Sequence, residues 1–195
     1  MASMDPLVVA VLVLALLVAL AAFFRQRNNR SHRLEDRFGP EYRRALDEHG
    51  SRKKAEAELR DRMERVSRFR IVPLAREDAE RFAERWKVMQ ARFVDDPKDA
   101  VADADRLVCQ LMQARGYPMG DFDRQAADLS VDHPKVVEHY RTAHEIVTRS
   151  ERGEADTEAL RRAVVHYRAL FHDLLEADDA RVAEPAMPAR PQEAR

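Results

Sequence analysis

The sequence predicts an all-α protein: an N-terminal transmembrane helix, a polar stalk helix, and a compact bundle of four to five helices. Three observations carry this. Ala, Arg, Glu, Asp and Leu dominate while the chain holds only five Gly, a composition that favours helix. No segment sustains the alternation of Val, Ile, Thr and aromatics that marks a half-buried strand. And Leu7 to Phe24, LVVAVLVLALLVALAAFF, runs eighteen residues without a charge, an amide, a hydroxyl, a Gly or a Pro.

That apolar run decides where the chain is expected to live. At ~1.5 Å per residue it makes a helix roughly 27 Å long, against a hydrocarbon core of ~30 Å. A helix satisfies its own backbone hydrogen bonds, so lipid tolerates it. The six residues before it, MASMDP, carry Asp5 and no Lys or Arg, whereas a signal peptide needs a positive start and a shorter apolar core. Arg25, Arg27, Arg30 and Arg33 follow the run with no acid before Glu35. The positive-inside rule then puts the carboxyl side in the cytoplasm, a single pass through the cell membrane. The four arginines are the expected contact with anionic headgroups, at about 1 kcal/mol each before screening. The competing reading is a secreted helical domain released by cleavage at the small-x-small Ala19-Leu20-Ala21.

Charge is divided along the chain. Residues 25–70 hold 15 Lys and Arg against 9 Asp and Glu, a net +6, and residues 71–195 hold 19 against 25, a net −6. The basic half lies next to the expected membrane surface. A nucleic-acid interface needs a basic face backed by aromatics or a known motif, and neither is visible. Cys109 is the only cysteine; within the helical string LVCQLM it reads as a small buried hydrophobe.

Residues 25–39 read as a basic juxtamembrane linker closed by Gly39-Pro40. Residues 40–70 form the charged stalk helix, with Pro40 in its first turn. Tyr42, Leu46, Ala55, Leu59, Met63 and Val66 make a narrow apolar stripe, a possible homodimeric coiled-coil seam. Gly50 interrupts it and predicts a bend or break. Pro73 ends this element. The bundle, 71–176, begins with Phe82, Trp86, Met89 and Phe93 spaced four, three and four apart, a core face. Asp95 or Asp96 caps the next helix, which turns Val101, Ala104, Leu107, Val108, Leu111 and Met112 inward and stops at Gly116. A two-turn segment follows, DFDRQAADLS. Ser130 or Asp132 is expected to cap a helix from Pro134 to Ser150, and Asp156 or Thr157 the last helix, whose apolar face runs from Leu160 to Leu174. Residues 177–195, with three Pro in PAMPARPQEAR, read as a disordered tail.

The five Gly fit neither a dinucleotide fingerprint nor a P-loop, there is no HExxH, and one Cys excludes CxxC. No His on the last two helices has Glu three residues before it, so a di-iron bundle is excluded too. The remaining candidate chemistry is a polar cluster of Asp132, His133, His139, Tyr140, His166 and Tyr167, in which an HY pair recurs on each of the last two helices. Antiparallel packing would bring those pairs together as a metal or proton-transfer site. Their i, i+5 and i, i+6 neighbours do not share a face, which favours surface or capping roles, and Asp132-His133-Pro134 reads first as helix-start chemistry. No catalytic residue, cofactor or metal is assigned.

The strings RFGPEYRRALDEHGSRKKAEAELRDR, ERWKVMQARFVDDPKDAVADADRLV and ARGYPMGDFDRQAADLSVDHPKVVEHYR together resemble an uncharacterised family of bacterial proteins with one N-terminal membrane span and a helical domain. The resemblance covers residues 37 to 175 and implies the anchored helical layout, with no activity, cofactor or site residue attached to it. The expectation is a non-enzymatic, membrane-anchored scaffold that recruits a protein partner at the inner face of a bacterial membrane. The alternative is a small metal-binding protein or enzyme using the His/Tyr pairs.

Overall fold

A computed structural model describes residues 31–176 together with Leu20 and Arg25. The rest of the expected span 7–24, Arg27, Arg30 and the tail 177–195 lie outside the described residues. Among the described residues the chain is all-helical with no strand, and no helix is long and apolar enough to cross a membrane. The elements are α1 (Pro40–His49), α2 (Arg52–Val66), α3 (Arg76–Arg92), α4 (Pro97–Ala114), α5 (Phe122–Asp132), α6 (Val137–Glu151) and α7 (Thr157–Glu176). Two compact units divide it, Met1–Asp61 and Arg62–Arg195, with the boundary inside α2.

In the first unit, residues 31–38 are helical where a linker is expected. The reason is visible in the sequence once the pairing is known: Leu34, Phe38, Tyr42 and Ala45 follow one another at spacings of four, four and three, and all are buried. The expected break at Gly50 is present. Its φ of +59° ends α1 in the left-handed region, with its N–H on the Leu46 carbonyl at 2.9 Å. α2 contributes Ala55 and Leu59, both fully buried. The Tyr42 hydroxyl donates to Glu56 Oε1 at 3.1 Å, and Arg52 Nε donates to both, at 3.2 Å and 3.0 Å. Tyr42, Ala55 and Leu59, half of the stripe expected to form a coiled-coil seam, are therefore occupied within one chain. Periodicity alone does not distinguish such packing within a chain from a dimer seam.

The second unit is the expected bundle. Trp86 and Met89 of α3 are buried, with Phe82 and Phe93 packed beside them. The Trp86 ring stacks on Phe171 of α7, centroids 4.5 Å apart. α4 is the central helix: Ala100, Val101, Ala104, Leu107, Val108, Leu111 and Met112 are all buried. Asp96 caps it, accepting from the Asp99 N–H at 3.2 Å, and Pro97 opens its first turn. At its far end Gly116 adopts φ +93°, where a Cβ would stand 2.2 Å from the Arg70 carbonyl oxygen. Only Gly allows that close approach, which the Val72 N–H consolidates by donating to the Arg115 carbonyl at 2.9 Å.

Two expectations about the middle of the bundle are corrected. The segment after Gly120 forms three turns, not two. Asp121 caps α5 by accepting from the Arg124 N–H at 3.0 Å, and the helix continues through Val131 to Asp132. Ser130 and Asp132 do not cap the following helix. Ser130 is buried and donates to the Ala127 carbonyl at 2.6 Å, while α6 begins after Val136 with no side-chain cap. The reason is that the apolar pattern Ala126, Leu129, Val131 holds the chain in helix past both residues. Asp156 caps α7, accepting from the Ala159 N–H at 2.7 Å. A five-residue connection then folds α7 back along α6.

Two buried charged side chains of the second unit find specific partners. Asp128 of α5 is almost wholly buried and receives Arg65 Nε from the end of α2 at 2.7 Å. Arg115, also buried, donates to the Leu174 carbonyl, one of the last-turn carbonyls of α7 that the helix itself leaves unpaired.

Candidate functional site

The packing of α6 on α7 brings the two HY pairs together. His139 and His166 meet across the helices with Nδ1 atoms 2.9 Å apart and ring centroids at 5.1 Å. Both are half-buried. The tyrosines, one residue on, turn about 100° round each helix and point inward, where both are fully buried with their rings 6.3 Å apart. Each pair therefore divides between surface and core: histidines outside, tyrosines inside.

The inward half joins a network that the motif search missed. The Tyr167 hydroxyl donates to Asp105 Oδ1 at 2.8 Å, the Tyr140 hydroxyl donates to Gln125 Oε1 at 3.1 Å, and Cys109 Sγ lies 3.8 Å from the Tyr140 hydroxyl. Asp105 and Cys109 stand one turn apart on α4, a polar pair at i, i+4 flanking an apolar face; that spacing was the available signal. Burial pushes both phenols far up, with the Asp105 carboxylate adding to it at each. Burial also raises the Cys109 thiol, again with Asp105. All three keep their protons near neutral pH. Cys109 is half-buried rather than the small buried hydrophobe expected, and its raised thiol disfavours the thiolate that a nucleophile needs. The network is suited to fixing the helix register, since each buried hydroxyl bonds to a specific side chain on a neighbouring helix.

The remaining two residues of the expected cluster go elsewhere. Asp132, the last residue of α5, accepts from the Tyr117 hydroxyl at 3.0 Å. His133 is buried and pairs through Nδ1 with Asp173 of α7. His144 stacks flat on Phe122, centroids 3.6 Å apart. The six residues thus divide among four groupings: the histidine pair, the tyrosine network, Asp132 with Tyr117, and His133 with Asp173. No group of three or more His, Cys, Asp or Glu arranged to hold a metal occurs among the described residues.

At the outer pair, His166 is held below the ordinary imidazole range, first by burial, then by His139 and Arg162. A ring kept neutral is a better hydrogen-bond acceptor and a better metal ligand than a cationic one. Of the membrane-surface arginines, Arg25 and Arg33 are helical and exposed. No protein-family model, curated protein or solved structure matches the chain.

Proposed function

We propose that the chain is a membrane-tethered interaction protein. Residues 7–24 span the bilayer once, Arg25, Arg27, Arg30 and Arg33 lie against anionic headgroups, and the helical bundle of residues 71–176 is presented to a protein partner at the inner face of a bacterial membrane. The observation that carries this reading is the eighteen-residue run without a polar side chain, followed at once by four arginines with no intervening acid. The helical bundle is consistent with it: a single apolar core forms inside, and charged residues occupy its outer faces. Exposed Arg25 and Arg33 are available to headgroups.

The test is a pair of reporters fused after Arg195 in a bacterial host, one active only in the cytoplasm and one only outside it. Activity of the cytoplasmic reporter alone supports the reading; activity of the external reporter alone defeats it. The mature N-terminus separates an anchor from a cleaved signal at Ala19-Leu20-Ala21. The partner class is tested by crosslinking in native membranes, where this reading expects a protein adduct formed through the bundle.

A further inference from the structure

We propose that His139 and His166 form a two-histidine site for a divalent transition metal on the α6/α7 surface, each ring contributing Nδ1. The spacing carries the proposal. Two imidazole nitrogens at ~2.0–2.1 Å from one ion and about 90° apart stand about 2.9 Å from each other. The Nδ1 atoms already lie 2.9 Å apart with the rings facing each other head-on, and turning each ring out of that hydrogen bond aims both lone pairs at one ion. The sequence offered such a site only through antiparallel packing of the two helices, since neither helix supplies two ligands on one face.

Three further observations agree. The rings are held by their neighbours: Tyr140 and Tyr167, next in the chain, are locked in the core by hydrogen bonds to Gln125 and Asp105, which fixes the rotation of both helices. Both histidines are half-buried, so the donors are accessible yet partly shielded. The electrostatics favour an uncharged His166. In the metal-free pair one ring donates its Nδ1 proton to the other. On binding, that ring shifts to the tautomer protonated at Nε2, both Nδ1 lone pairs face the ion, and a neutral pair releases no net proton.

Two protein ligands leave coordination positions open, to be filled by water or by an anionic ligand. Arg162, close enough to depress His166, weakens the affinity for a bare cation and favours an anion among the remaining ligands. Imidazole pairs suit Cu(II), Ni(II) and Zn(II), with Cu(II) bound most strongly. The site stands independently of the membrane anchor.

The experiment uses the full chain purified in mild detergent, with Cu(II) alone as the probe in a non-coordinating buffer. Equilibrium dialysis gives stoichiometry and affinity, and electron paramagnetic resonance counts the nitrogen donors. The expected result is one equivalent bound with a two-nitrogen signature. His139→Gln and His166→Gln should each weaken binding at least tenfold and abolish that signature, while exposed His172→Gln leaves both unchanged. Far-UV circular dichroism identifies a variant that has unfolded, in which case the other decides. Binding that survives both substitutions, uptake spread over several histidines as adventitious ion only, or no saturable binding overturns the proposal.

Discussion

Gly116, Asp128 and His166 show how much of this fold rests on single positions. Gly116 combines φ +93° with a backbone oxygen 2.2 Å from any Cβ, so Gly116→Ala is doubly penalised. It should lower stability by more than ~1 kcal/mol in urea unfolding, beyond the usual cost of a strained turn. Arg65→Met strands the buried carboxylate of Asp128 and should remove roughly 3 kcal/mol, measured the same way. His166 titrates below its ordinary value because burial, His139 and Arg162 oppose its cation. Its unfolded form therefore binds a proton first. The stability it contributes is complete above about pH 6.5 and is lost as pH falls through the lower folded value. The urea midpoint should drop on acidification below pH 6.5, and His166→Gln should flatten that drop. Of these positions, Gly116 was legible as a helix stop from Arg-Gly-Tyr-Pro. The Asp128 pair was not, because a carboxylate on a short helix gives no sign of which distant arginine will reach it.

At the scale of elements, apolar spacing served well where a helix buries one broad face and poorly where it buries a narrow one. The faces of α3, α4 and α7 were readable residue by residue, and the Trp86–Phe171 stack is their joint product. Trp86→Ala should cost about 3 kcal/mol or more by leaving that ring without its partner, read as a loss of thermal stability. Residues 31–38 and α1 misled because their apolar stripe is one residue wide, which fits a linker, a stalk or a packed helix equally. The three-turn α5 was underestimated because Ser130 and Asp132 resemble capping residues, yet tertiary burial of Leu129 and Val131 carries the helix through them. The histidine pair was foreseen only as a consequence of antiparallel packing: it lies across two helices, and their mutual rotation, set by the tyrosines, brings it together.

For the whole molecule, the proposed role depends on a tether and a presented bundle. On the proposed tether, the arginines behind the apolar run and the net +6 of residues 25–70 follow the span directly in sequence, and the net −6 lies farther along the chain. Neutralising Arg25, Arg27, Arg30 and Arg33 together should weaken the orientation preference without unfolding the bundle, since all four lie outside residues 71–176. The central claim is met most directly by alkaline carbonate extraction of membranes from cells expressing the full chain. The tether predicts that the protein stays in the membrane pellet with its first two dozen residues intact. Recovery in the supernatant, or of a chain beginning after Ala21, would contradict it.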